Sequence, residues 1–145
     1  MGMTKRVFGK TSNGEVVHLV TVSNQKGMSI EVLDYGATLV RVNVPDKDGH
    51  TEDVALGYDD VLDYEKGTAY LGASIGRCGN RVDHAEFSIN GKEYFMEKNE
   101  GENVCHSGPR CYSRRMWDME LLEEENSVRF HLISPNMDQG FPGTF

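Results

Sequence analysis

The sequence has no early stretch long and apolar enough to act as a secretory leader or to cross a membrane, and its start, Met1 to Ser12, is polar and basic. It has no run of lysines and arginines, and the formal net charge is −8. A surface that binds nucleic acid or anionic lipid by releasing counterions needs clustered cations, so neither nucleic acid nor a membrane is an expected partner. Cysteine is scarce and odd in number, at Cys78, Cys105 and Cys111. An odd set without a leader favours reduced thiols in a cytoplasm over a disulfide framework. These cysteines, even with His106 beside Cys105, lack the paired C-x2-4-C spacing of structural zinc sites and read as small buried hydrophobes. No Asn-x-Ser/Thr acceptor occurs. The glycine fingerprint of dinucleotide folds and the Gly-Lys-Ser/Thr of a P-loop are both missing. Helix signal is scarce as well, with only Asp59 to Tyr64 suited to a short helical turn.

What is present is a strand pattern. The chain has 145 residues, 38% hydrophobic and 26% charged, which suits one soluble globular domain spanning 1–145. The acidic balance suits an uncharged or cationic small-molecule ligand. Period-two alternation runs through Val17, Leu19 and Thr21, through Ile30 and Val32, and through Val40, Val42 and Val44 until Pro45 stops the ladder. It predicts further strands at Val54, Leu56 and Tyr58, at Trp117, Met119 and Leu121, and at Val128, Phe130 and Leu132. Phe87 and Ile89 before Asn90-Gly91, with Tyr94 and Met96 after it, predict a hairpin, because both residues of such a turn need positive φ. Asn13-Gly14 and Asp48-Gly49 carry the same turn chemistry. Many short strands joined by turns predict an all-β fold, an antiparallel β-sandwich. The final residues, Gly140 to Phe145, do not read as a finished sheet edge, and an unpaired edge invites self-association.

Three polar segments are candidates for chemistry. Gly76-Arg77-Cys78-Gly79-Asn80-Arg81 offers close backbone approach and two forks of donors suited to hydroxyls or carboxylates, and reads equally as a loop with surface arginines. Asn99 to Gly108 delivers His106 beside small residues; a histidine there can give or take a proton near neutrality, or simply be a solvated loop residue. Asp138-Gln139-Gly140-Phe141-Pro142-Gly143 is either a turn or a cleft-lining loop.

The order of these segments is more specific than any one of them. Gly76-Arg77 through Asn80-Arg81 resembles the G-R-x-x-N-R stretch of the aldose 1-epimerase family. The hairpin from Phe87 to Tyr94 follows, then Asn99 to Asn103 and Cys105-His106-Ser107-Gly108, similar to that family's asparagine-rich approach to a His-Gly-Gly or His-Ser-Gly element. Arg115-Met116-Trp117 resembles the segment returning to the sheet, and Ser134-Pro135 through Gly143 resembles the S-P-x-x-D-Q-G-F-P-G element. The resemblance implies a β-sandwich of galactose-mutarotase type and interconversion of the α and β anomers of free aldohexoses, with no metal or organic cofactor. It implies that His106 contacts the ring-oxygen side of the sugar, that Arg81 binds sugar hydroxyls, and that Asn80 is a second contact or orients that arginine. Arg77 reads as structural.

The resemblance also implies a longer protein, of which this chain is the N-terminal part. The family's second histidine, its sugar-binding aspartate and its base glutamate find no match here, and neither Asp138 nor Glu102 stands in the base's motif. The chain alone is therefore expected to be impaired in turnover. A non-catalytic carbohydrate-binding module, a purely structural fragment and a hexose-phosphate 1-epimerase are the competing readings; the last needs extra cationic groups for the phosphate.

Overall fold

In the computed structural model, which describes residues 2–145, the chain forms two compact units. The first takes in residues up to Ser74 together with Met116–His131, and the second Ile75–Arg115 and Leu132–Phe145. The first unit holds an antiparallel five-stranded meander, β1 (Gly2–Lys10), β2 (Val16–Ser23), β3 (Ser29–Leu33), β4 (Thr38–Pro45) and β5 (Thr51–Asp53), side by side in that order. A short helix, α1 (Val61–Lys66), and a late hairpin of β10 (Asp118–Leu122) and β11 (Ser127–His131) complete it. The second unit holds β6 (Arg81–Val82), β7 (Glu86–Ile89), β8 (Lys92–Phe95) and β9 (Val104–Cys105), paired β6 with β9 and β7 with β8. The all-β expectation is met. No helix among the described residues is long and apolar enough to cross a membrane.

Strand β2 explains how the first unit packs. Its run Val-Val-His-Leu-Val-Thr-Val is apolar on both faces. Val17 and Leu19 join Leu33, Tyr35, Val40 and Val61 in one core, over which Phe8, Tyr64 and Met116 lie. Val20 and Val22, one step out of phase, join Val32 on the opposite face, against Met119, Leu121, Val128 and Phe130 of the hairpin. That second contact is sheet on sheet, the layer arrangement of a sandwich. Helix α1 starts where the Asp60 carboxylate accepts the Leu62 N–H at 2.7 Å, and it buries Val61 in the first core.

One strand is added to those expected, and one expected strand is absent. The polar start forms β1, a nine-residue edge strand whose Lys5, Arg6 and Lys10 are exposed, the usual protection of an edge. The strand expected at Val54, Leu56 and Tyr58 is absent: the ladder ends at Asp53, and Val54 and Leu56 are exposed. The Asp53 carboxylate accepts the N–H groups of Val42 and Ala55, both at 3.0 Å, so a side chain takes over where strand carbonyls would continue. The Tyr64 hydroxyl then accepts the Tyr58 N–H at 3.0 Å.

In the second unit Asn90 (φ 52°) and Gly91 (φ 77°) form the tight turn between β7 and β8. Phe87 stacks on Tyr94 and on Phe141 at centroid distances of 5.4 and 5.5 Å, which ties the hairpin to the chain's last segment. Ala85, Met96 and Val104 form the core here, with Val82, Phe87 and Phe141 against it. Gly140 (φ 91°) lies so close to the Phe95 carbonyl that a Cβ would overlap it.

Candidate functional site

Strands β6 and β9 are two residues long, and their register places the site. Val82 opposite Val104 turns into the core, so Arg81 opposite Cys105 faces the other way. His106 follows Cys105 directly. Beyond it the backbone turns sharply, with positive φ at His106 (51°), Ser107 (69°) and Gly108 (105°). Asn80, before Arg81, is also left-handed, at φ 60°. Left-handed conformations cost a non-glycine residue about 1 kcal/mol or more, so surrounding bonds must hold them.

Those bonds are present. His106 N–H donates to the Asn80 carbonyl at 2.9 Å, and Asn80 N–H donates to His106 Nδ1 at 3.1 Å. Ser107, buried, accepts the Cys78 N–H at 2.7 Å through Oγ and donates its hydroxyl to the Cys78 carbonyl at 3.1 Å. The Asn99 amide brackets Cys105, donating to its carbonyl at 2.9 Å and accepting its N–H at 2.7 Å. A backbone N–H can only donate, so Nδ1 of His106 is an acceptor and the ring proton of the neutral imidazole sits on Nε2.

Arg81 is held twice. Its Nε and Nη2 meet the two carboxylate oxygens of Glu100, the Nη2 bond measuring 2.6 Å, and its Nη1 donates to Asn80 Oδ1 at 3.0 Å. Three of five N–H donors are thereby used, and one remains on each terminal nitrogen. The Arg81 guanidinium keeps the Glu100 carboxyl below its usual value, and the carboxylate raises the arginine in return. The three residues singled out in the sequence, Asn80, Arg81 and His106, are thus joined directly, Asn80 being bonded to both of the others.

Arg77 is a separate case. It makes five hydrogen bonds, to Ser134 Oγ and to the carbonyls of Ser134, Pro135, Phe141 and Pro142, at 2.7–3.4 Å. It staples the 134–142 segment to its own loop, a structural role. In that segment Asp138 accepts a bidentate pair from Arg115 at 2.6 and 2.8 Å and the Ser134 hydroxyl at 2.6 Å. Arg115 first, then Ser134, holds the Asp138 carboxyl below its ordinary value near 3.8, against an opposing push from burial. A carboxylate whose folded pKa is depressed contributes stability that is present above the ordinary value and lost as pH falls through the folded one. The urea midpoint is expected to fall between pH 5 and pH 3, and Asp138→Asn to flatten part of that fall.

A cleft of about 500 Å³ opens elsewhere in the second unit, lined among others by Arg110, Arg114, Met137 and Gln139, but by none of Asn80, Arg81 and His106. Among the described residues no group of three or more His, Cys, Asp or Glu converges to hold a metal ion. Asn99, Ser107 and Glu100 were not individually legible: each acts across 6 to 29 residues of sequence, and no local spacing marks it.

The arrangement can be set beside known proteins. The model of the family described as aldose 1-epimerase matches residues 18–145. The chain belongs to the aldose 1-epimerase family. It is 34% identical over 131 residues to the aldose 1-epimerase of Escherichia coli (strain K12), and 32% identical over 145 residues to the galactose mutarotase of Bos taurus. Those matches cover 90% and 99% of this chain but 38% and 41% of the relatives, so it spans about two fifths of their length. A galactose 1-epimerase from Lactobacillus acidophilus NCFM superposes with a TM-score of 0.79 at 26% identity, covering 98% of this chain and 41% of that one. An aldose epimerase homologue from C. elegans superposes at 0.78 with 34% identity, covering 86% and 38%. The galactose-mutarotase type of β-sandwich inferred from sequence is thereby shown, and the family is one of isomerases.

Proposed function

We propose that this aldose 1-epimerase family chain binds free aldohexoses, such as glucose or galactose, through Asn80, Arg81 and His106 and takes part in interconverting their α and β anomers. The single observation that carries the reading is the bonded set itself: Asn80 N–H on His106 Nδ1 and Asn80 Oδ1 on Arg81. A neutral sugar needs fixed donors, and this set supplies them in the two remaining N–H of Arg81, beside the imidazole of His106.

In the reaction a base takes the proton of the C1 hydroxyl, C1=O forms, the C1–O5 bond breaks and O5 takes up a proton. Rotation about C1–C2 and reclosure give the other anomer. In this reading, which follows the family resemblance, the His106 imidazole lies on the ring-oxygen side and stabilises the charge that develops on O5. Glu100, the carboxylate nearest in the bonding scheme, is committed to Arg81 and is no base. Turnover by this chain is therefore expected to fall about a hundredfold to ten-thousandfold short of a site with a matched acid and base. A cytoplasmic setting belongs to the same reading, supported by Cys78, Cys105 and Cys111, none of which is in a disulfide.

The test is exchange between the anomers of D-galactose, followed by NMR on the purified chain. Saturable binding with some acceleration over the spontaneous rate is expected. Absence of both sinks the proposal; binding without acceleration selects the carbohydrate-binding module instead.

A further inference from the structure

We propose that Glu100 makes this site selective for neutral aldoses over sugars bearing a carboxylate or phosphate, by cancelling the charge of Arg81 and fixing its plane. The inference rests on the sugar site proposed above and adds the residue that sets its substrate class. An arginine facing ligand space is ordinarily an anion receptor, because its fork matches carboxylate and phosphate oxygens two at a time. Here the side of the fork formed by Nε and Nη2 is already occupied by a carboxylate of this chain. An anionic sugar would have to displace Glu100 or sit beside its negative charge. A hydroxyl oxygen needs only one N–H, and one remains on each terminal nitrogen.

The position of Glu100 is itself braced. Its backbone N–H bonds the Asn103 carbonyl at 3.2 Å, and Asn103 N–H returns a bond to the Glu100 carbonyl at 3.0 Å. Asn103 Oδ1 also accepts the His84 N–H at 3.1 Å, tying this turn to the chain just after β6. The carboxylate therefore reaches Arg81 from a closed turn. Glu102, two residues on, serves as an internal contrast: it has the same charge but pairs with Lys98 at 2.5 Å.

The experiment titrates the full chain with D-galactose and with D-galacturonate, reading affinity by NMR, for the wild type, Glu100→Gln, Glu100→Asp and Glu102→Gln. The wild type is expected to prefer galactose. Glu100→Gln is expected to raise the galacturonate-to-galactose affinity ratio by about fivefold, the scale of one unit charge a few ångströms away in a water-like medium, and added salt should shrink the change. Glu100→Asp keeps the charge and should keep the wild-type ratio. Glu102→Gln should move it by less than about twofold. An unchanged ratio in Glu100→Gln, or an equal change in Glu102→Gln, overturns the role of Glu100 while leaving the sugar site standing. A wild type that binds neither sugar overturns the site itself and this inference with it.

Discussion

His106→Ala is expected to lower the chain's rate of anomer interconversion by about a hundredfold, with affinity for galactose falling by less than about tenfold. The asymmetry follows from where the ring is held. Its Nδ1 accepts the Asn80 N–H, which fixes the plane of the ring. A hydrogen-bond donor set against developing charge on the ring oxygen acts mostly in the transition state, and its loss shows in the rate more than in binding. His106→Gln, which still offers an N–H, should bind nearly as well as the wild type and keep part of the rate that alanine loses. A fall in affinity alone, with the rate constant for bound sugar unchanged, identifies a binding module. The measurement is the exchange rate at saturating sugar set beside the dissociation constant.

Arg77→Met is expected to destabilise the chain by about 3–5 kcal/mol, whereas Arg81→Met should leave the urea midpoint nearly unchanged and remove most sugar binding. The two arginines stand four residues apart and carry the same side chain. Arg77 gives its donors to four backbone carbonyls and one hydroxyl in the 134–142 segment. Removing it leaves those acceptors without their partner where the segment packs Phe141 against Phe87. Arg81 is 56% exposed in its side chain and bonds only Glu100 and Asn80. Solvent can replace it in the fold but not in the recognition of a ligand. Urea unfolding of both variants, read beside galactose titration, separates the roles; loss of stability in both, with binding unaffected in Arg81→Met, contradicts the assignment.

The sequence revealed most where local rules decide. Strands β2, β3, β4, β10 and β11 follow from alternation, and the β7–β8 turn follows from Asn90-Gly91, because a single pair of residues supplies both positive φ angles. It failed where a side chain intervenes or where an edge is polar. Val54, Leu56 and Tyr58 alternate like a strand, yet the Asp53 carboxylate stops the ladder before them. Strand β1 carries the charges of an edge and so lacks an apolar signature. For the candidate site, the order of motifs singled out Asn80, Arg81 and His106, and the structure joins the three by hydrogen bonds. What motifs do not disclose is that the β6–β9 register sets Arg81 opposite Cys105 and so brings Asn80 to the His106 ring, or that Glu100 occupies Arg81. Those are long-range pairings, fixed by packing of Val82 against Val104 rather than by spacing along the chain.

Everything proposed for this chain depends on sugar binding at the Asn80–Arg81–His106 set. Titration of the isotopically labelled chain with D-galactose, mapping shifts of individual N–H signals, tests it most directly. Saturable shifts are expected at the Asn80 amide, at Arg81 Nε–H and at the His106 ring, with one shared dissociation constant. Shifts confined to residues around Arg110, Arg114 and Gln139, with Asn80, Arg81 and His106 unmoved, would contradict it.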